Sequence, residues 1–224
     1  MEEIKQAIPA RLKNAAIGGH VAGADDIYDD DMMLTQDVIN SIVKDNVVTV
    51  SLGSSSIAAN MGSQGNVTLT ATSKVSMDSI SIKKDNNTIA EGSGTTLRYT
   101  DDSVNNYGTT VYQAEFRKGG MVKNASITVG AIYYGSGDEA FPNGSKFVVK
   151  GGPAGSYAVT VASAGKYVWF MVPASMRING ATKSGFTYPL ESPVDVTAPD
   201  GETAYKAYRS SNTYDAGTEN VVLN

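Results

Sequence analysis

The sequence predicts an all-β protein of two small β-domains behind an N-terminal arm with a short helix, and three observations carry that prediction. From residue 47 onward, apolar and polar residues alternate with period two in runs of five to eight residues, the spacing of strands that bury one face. Polar clusters of Gly, Asn, Asp and Ser separate those runs, as turns require. The first 45 residues follow neither pattern: they hold nine acids and four bases, a difference equal to the whole chain's net charge of −5. The body behind them is neutral, and a charged segment poor in large apolar groups is ordered by a partner more readily than by itself.

Composition narrows the function classes. A chain of 224 residues suits one large or two small domains, and 41% hydrophobic content with 23 glycines and 7 prolines suits packed β-structure with many turns. No run reaches the roughly 18 apolar residues that cross a bilayer. Glu2, Glu3, Lys5 and Gln6 interrupt any apolar signal region, so synthesis without a secretion signal and no membrane partner are expected. The absence of cysteine excludes disulfides, thiolate metal sites and cysteine nucleophiles, and fits assembly in a reducing cytosol. A sequence pI near 4.9 argues against a nucleic-acid partner.

Within the arm, residues 1–45, Pro9 favours an extended Ile8-Pro-Ala-Arg-Leu12, and Gly18, Gly19 and Gly23 keep the following backbone pliable. Gly18 to Gly23 has the glycine spacing of a phosphate loop, but Ala24 and Asp25 stand where Lys and Ser or Thr must be, so no nucleotide site is expected. The aspartates 25, 26, 29, 30 and 31 lack the glycine and terminal glutamate of a calcium loop, so no metal is expected either. From Thr35, a plausible N-cap, the pattern turns helical, and Leu34, Val38 and Ile42 share a stripe at i, i+4 spacing. A helix this short needs packing, either on its own β-body or on copies of itself about a symmetry axis.

Six strands are expected at residues 47–52, 66–72, 79–83, 95–99, 110–116 and 122–129, with an edge strand near 87–90 as a seventh. Their number and spacing fit an Ig-like β-sandwich over residues 46–130, with Tyr112 where such folds carry a structural tyrosine corner.

The arm from Ile8 through Asp30, Ile-Pro-Ala-Arg-Leu-Lys-Asn-Ala-Ala-Ile-Gly-Gly-His-Val-Ala-Gly-Ala-Asp-Asp-Ile-Tyr-Asp-Asp, followed by Thr35-Gln-Asp-Val-Ile-Asn40, resembles a segment shared by virion structural proteins of Bacteroidales bacteriophages, crAss-like phages among them. Val111 to Glu115, Ala125 to Val129 and Tyr205 to Thr218 resemble the strands and terminal segment that follow it there. The resemblance implies a virion fibre or appendage. Its arm would contact capsid, collar or tail proteins through Ile8, Pro9, Arg11, Leu12, Ile17, Val21, Ile27 and Tyr28, in a homo-oligomer that is a trimer or alternatively a dimer.

The second domain, residues 131–224, is expected to be a small jelly-roll-like β-sandwich, and it holds 13 of the 18 aromatic residues. Strands are expected at 156–162, 166–172, 176–179, 185–188, 194–197, 204–209 and 219–223. The strand Lys166-Tyr-Val-Trp-Phe-Met-Val172 is apolar on both faces, so Trp169 and its neighbours need a cover from the same domain, a neighbouring subunit or a ligand. Tyr208, Asn212 and Tyr214 combine amphipathic rings with hydrogen-bonding groups suited to a host-surface glycan, although a hairpin whose tyrosines cap the core accounts for them more simply.

No catalytic signature appears. His20 is the one histidine and lies among glycines; no nucleophile elbow or cofactor fingerprint occurs, so no cofactor is expected. The expected function is an accessory fibre or decoration of a virion. The alternatives are a capsule-polysaccharide depolymerase using acids such as Glu191 with Asp195 or Asp200 with Glu202, and an internal virion joint without host contact.

Overall fold

The computed structural model describes residues 48–138 and 146–224, and all regular structure among them is β-strand, as the alternation predicts. The strands in chain order are β1 (Val50–Ser55), β2 (Ala59–Asn60), β3 (Val67–Lys84), β4 (Asn87–Asp101), β5 (Thr109–Lys118), β6 (Met121–Gly137), β7 (Lys146–Lys150), β8 (Gly155–Val161), β9 (Lys166–Pro173), β10 (Ala181–Lys183), β11 (Phe186–Thr187), β12 (Val194–Thr197), β13 (Ala204–Tyr214) and β14 (Gly217–Leu223). Ten of them form one antiparallel sheet whose main order is β1-β3-β5-β6-β9-β13-β12, with β4 beside β3 and β7 joining β2 to β6. The other four form a sheet of order β11-β10-β14-β8. The expected helix with Leu34, Val38 and Ile42, and the arm residues Ile8, Pro9, Arg11, Leu12, Ile17, Val21, Ile27 and Tyr28, lie outside the described residues.

Strand β3 follows from its alternation, with Val67, Leu69 and Ala71 buried while Thr68, Thr70 and Thr72 face outward. The two strands expected at 66–72 and 79–83 are one: register shifts between Thr72 and Met77 and between Met77 and Ile80 interrupt the period without ending the strand. The expected pieces at 87–90 and 95–99 likewise join in β4. Asp85 and Asn86, both at positive φ, make the two-residue turn that brings Asn87 opposite Lys84. At the far end of this hairpin lies buried Asp101. Its carboxylate accepts the Tyr112 hydroxyl at 2.5 Å and the backbone N–H of Ser103 at 2.9 Å, and pairs with Lys84 at 2.8 Å. Tyr112 is thus structural as expected, but it bonds a carboxylate on β4 and not the upstream backbone of a tyrosine corner.

The boundary expected at residue 130 falls inside β6, and Val50–Asn224 forms one compact unit. Up to Gly130 the strand pairs with β5, and beyond it with β7 and β9, so one backbone serves both halves of the body. Gly130 permits this passage: a Cβ there would come within 2.7 Å of Met176 Sδ and 3.0 Å of Pro173 Cγ. Tyr205 of β13 holds the same seam, its hydroxyl accepting the Gly108 N–H at 2.9 Å and donating to the Ala131 carbonyl at 3.0 Å. Tyr133 stacks on Phe147 and Tyr107, meets Tyr205 edge-on, and donates its hydroxyl to the Asn106 carbonyl at 2.6 Å.

The two sheets pack face to face over residues 131–224. Ile132 and Tyr134 of β6, Val168, Phe170 and Val172 of β9 and Tyr208 of β13 meet Tyr157, Val159 and Val161 of β8, Ala181 of β10, and Val221 and Leu223 of β14. Each such large side chain contributes roughly 1.5–3 kcal/mol relative to exposure. Residues 176–179 form a loop and not the expected strand, placing Ile178 in this core with Met176 packed against it.

Two predictions test these interior bonds. Burial pushes the Asp101 pKa up, but the bonds from Lys84, Tyr112 and Ser103 outweigh it and bring the pKa down to about 2, below its unfolded value of about 3.9. Asp101 therefore contributes stability that is full above about pH 4 and lost as pH falls toward 2, amounting to about 2 kcal/mol. Urea unfolding of Asp101→Asn should show a shallower loss of stability across pH 5 to 2 than the parent, and equal slopes would refute the assignment. Tyr205→Phe removes both seam bonds and should cost about 1–3 kcal/mol with unchanged far-ultraviolet dichroism.

Candidate functional site

The sandwich of residues 131–224 is open at one end, where the chain runs outside strands at 174–180 and 188–193. Pro173 ends β9, and a turn follows in which the Met176 N–H donates to the Pro173 carbonyl at 2.7 Å. The loop then returns to the sheet through two backbone bonds, Asn179 N–H to the Asn224 oxygen and Asn224 N–H to the Gly180 carbonyl. The opposite wall is tied to β13 by Ser211 N–H to Pro189 O and Glu191 N–H to Arg209 O, both 2.9 Å or shorter. Prolines at 189 and 193 suit a wall that lies outside the ladder.

Between the walls lies a cleft of about 660 Å³, adjoined by a recess of about 420 Å³ with which it shares Arg177, Ile178, Pro193 and Tyr208. Tyr208 is 5% exposed and forms the floor, its oxygen accepting the Ile178 N–H at 3.3 Å. Tyr188 also lines the cleft, its buried hydroxyl lying near those of Tyr214 and Ser210 without hydrogen-bonding geometry to either. Burial, with Tyr214 beside it, pushes the Tyr188 pKa far up, so the ring stays neutral. On the rim, Glu191 accepts two bonds from Arg209, which stacks over Tyr167 at 4.2 Å. Arg177 and Asn179 are exposed. Of the four described arginines, Arg177 alone makes no hydrogen bond or ion pair, since Arg98 reaches Thr70, Arg117 reaches Glu115 and Arg209 reaches Glu191.

The residues expected to touch a glycan divide. Tyr208 belongs to the core between the sheets, because β13 alternates and places it on the face covered by β10 and β14. Tyr214 is half-buried, its ring stacked on Tyr188 at 5.4 Å with Lys183 over it. Asn212 is exposed in a bulge held by the Ser210 hydroxyl, which accepts the Val168 N–H and donates to the Asn212 carbonyl. The three do not line one surface: Tyr208 floors the cleft, and Asn212 and Tyr214 do not line it. Trp169, expected at a subunit contact, is 5% exposed within its own chain and donates its indole N–H to the Gly137 carbonyl. The second face of β9 is thus covered internally.

Three of the four acids considered for hydrolysis are engaged, and Glu202 contributes its backbone N–H to Asp200 while its side chain is exposed. Asp195 pairs with Lys206 at 2.9 Å and Glu191 with Arg209 at 2.7 Å. Asp200 caps its own turn, where the Thr203 hydroxyl and backbone hold its carboxyl below the usual range. Among the described residues no three His, Cys, Asp or Glu side chains gather as a metal set. Arg177, Asn179 and Glu191 of the cleft carry no motif, and the one signal that marks the region in sequence is the run of prolines from 173 to 199. Comparison with protein-family models, curated proteins and solved structures finds no match to this chain.

Two substitutions separate floor from surface. Tyr208→Ala opens the core and should cost about 3–5 kcal/mol, whereas Asn212→Ala should stay within about 0.5 kcal/mol of the parent. Thermal unfolding of both proteins checks this.

Proposed function

We propose that the protein is a structural component of a bacteriophage particle, an accessory fibre or decoration held by its N-terminal arm. The body projects outward, and its far end adheres to a host-surface glycan. The observation that carries this reading is that the segments resembling phage virion proteins act together as framework. Val111 to Glu115 and Ala125 to Val129 are partners in a single hairpin, with Tyr112 opposite Ile127 and Ala114 opposite Ala125. The third segment supplies Tyr205 to the seam and Tyr214 to the Tyr188 stack. Side chains spent on holding sheets together suit a rigid spacer.

In this reading residues 46–130 are an Ig-like module and residues 131–224 a jelly-roll-like one, joined stiffly through β6. Wholly antiparallel pairing and the two-layer core support that description. Capsid, collar or tail proteins are the partners of the arm, the assembly is a trimer or a dimer, and the protein resides in the virion after assembly in the bacterial cytoplasm. The ion pairs of Glu191 and Asp195 and the turn bonds of Asp200 favour adhesion over hydrolysis, because a general acid needs a carboxyl poised to give up a proton near neutral pH.

Deleting residues 1–45 should leave a folded body that no longer enters particles. Normal copy number of the truncated protein on purified virions would overturn the anchoring role.

A further inference from the structure

We infer that the cleft between residues 174–182 and 187–193 is a binding site for an acidic saccharide, with Arg177 taking the sugar's carboxylate and Tyr208 meeting its ring from below. Three observations converge on it. The cleft's volume of about 660 Å³ lies within the range of small-molecule sites, and the adjoining recess of about 420 Å³ extends it for a second sugar unit. Arg177 is exposed at the point the two depressions share and has no partner among the described residues. The Tyr208 hydroxyl, on a side chain 95% covered, accepts from Ile178 and donates to no described residue. A buried donor without an acceptor is costly, and a sugar oxygen above the floor satisfies it.

The chemistry favours a carboxylate-bearing sugar over a neutral one. The other charged side chains lining the two depressions are already matched, Glu191 by Arg209 and Lys206 by Asp195, so Arg177 is the charged side chain left over. A guanidinium fork recognises a carboxylate through two parallel bonds, which an ammonium cannot reproduce. Asn179, Thr182 and Ser192 line the same cleft and offer the mixed donors and acceptors that hydroxyls require, and Pro189 and Leu190 offer apolar surface to the ring's C–H face. Glu191 uses one carboxylate oxygen for Arg209 and keeps the other for a hydroxyl.

This inference deepens the adhesive part of the proposed function. It is tested on free protein, so its failure is separate from failure of the arm to anchor. Full-length protein is presented to immobilised polygalacturonate, alginate and hyaluronan, each beside its carboxyl-reduced neutral form. At least one acidic polymer should bind, and its reduced form should bind at least about tenfold more weakly. Arg177→Glu should abolish that binding, Arg177→Lys should weaken it, and Tyr208→Phe should weaken it severalfold with the fold retained. Asn212→Ala, outside the cleft, should leave it unchanged. Absence of binding to every acidic polymer, equal binding of the reduced forms, or parental affinity in folded Arg177→Glu would each overturn the assignment.

Discussion

The body depends on one strand that does not end where a domain should. β6 carries its hydrogen bonds past Gly130 from β5 to β7 and β9, and its alternation switches what each side chain covers: Ile132 and Tyr134 enter the core between the sheets, while Tyr133 joins Phe147 and Tyr205 on the other face. A linker between two sandwiches would leave each free to reorient, as domains commonly are when little surface joins them. Here reorientation would break ladder bonds and unpack both faces of a central strand. Gly130 is where Met176 and Pro173 close on the backbone, so a side chain there would have to displace Met176.

Much of this fold was legible, and the parts that were not have physical reasons. Strands β5 and β12 appear in sequence nearly as they form because each alternates without interruption, and β9 does so as an unbroken apolar run. β3 and β13 were harder to read. The segment Ser73 to Met77 and the bulge at Ser210 to Asn212 insert residues that reset the period, so continuous strands resemble broken ones. β10 has three residues and β2 two, too few for any periodicity to register. At 176–179 alternation was present and the strand was not, since Met176 and Ile178 anchor a loop fastened by backbone bonds at Asn179 and Asn224.

The site was legible only in fragments. Period two correctly separates Tyr205 from Tyr208, yet it cannot say which face meets the second sheet and which the seam. That depends on pairing between residues far apart in the chain, such as Tyr208 with Phe170 and Tyr205 with Ala131. The tyrosines therefore read as one cluster in sequence and as three separate functions in space. The acids are the converse case. Glu191 and Asp195 look available in the chain, and cross-strand neighbours Arg209 and Lys206 occupy them.

Strand β13 links seam and cleft. Tyr205 locks the two halves on one face, and three residues on Tyr208 forms the cleft floor on the other. The backbone between them is paired with β9 along Tyr205 to Arg209 and with β12 along Ala204 to Ala207. A floor held this way loses little freedom when a ligand arrives, which favours binding through low ordering cost more than through contact area. The same rigidity is what the proposed role in a particle would require. The ladders run continuously from β13 through β9 and β6 to β5, so a load at the cleft would be carried along paired strands.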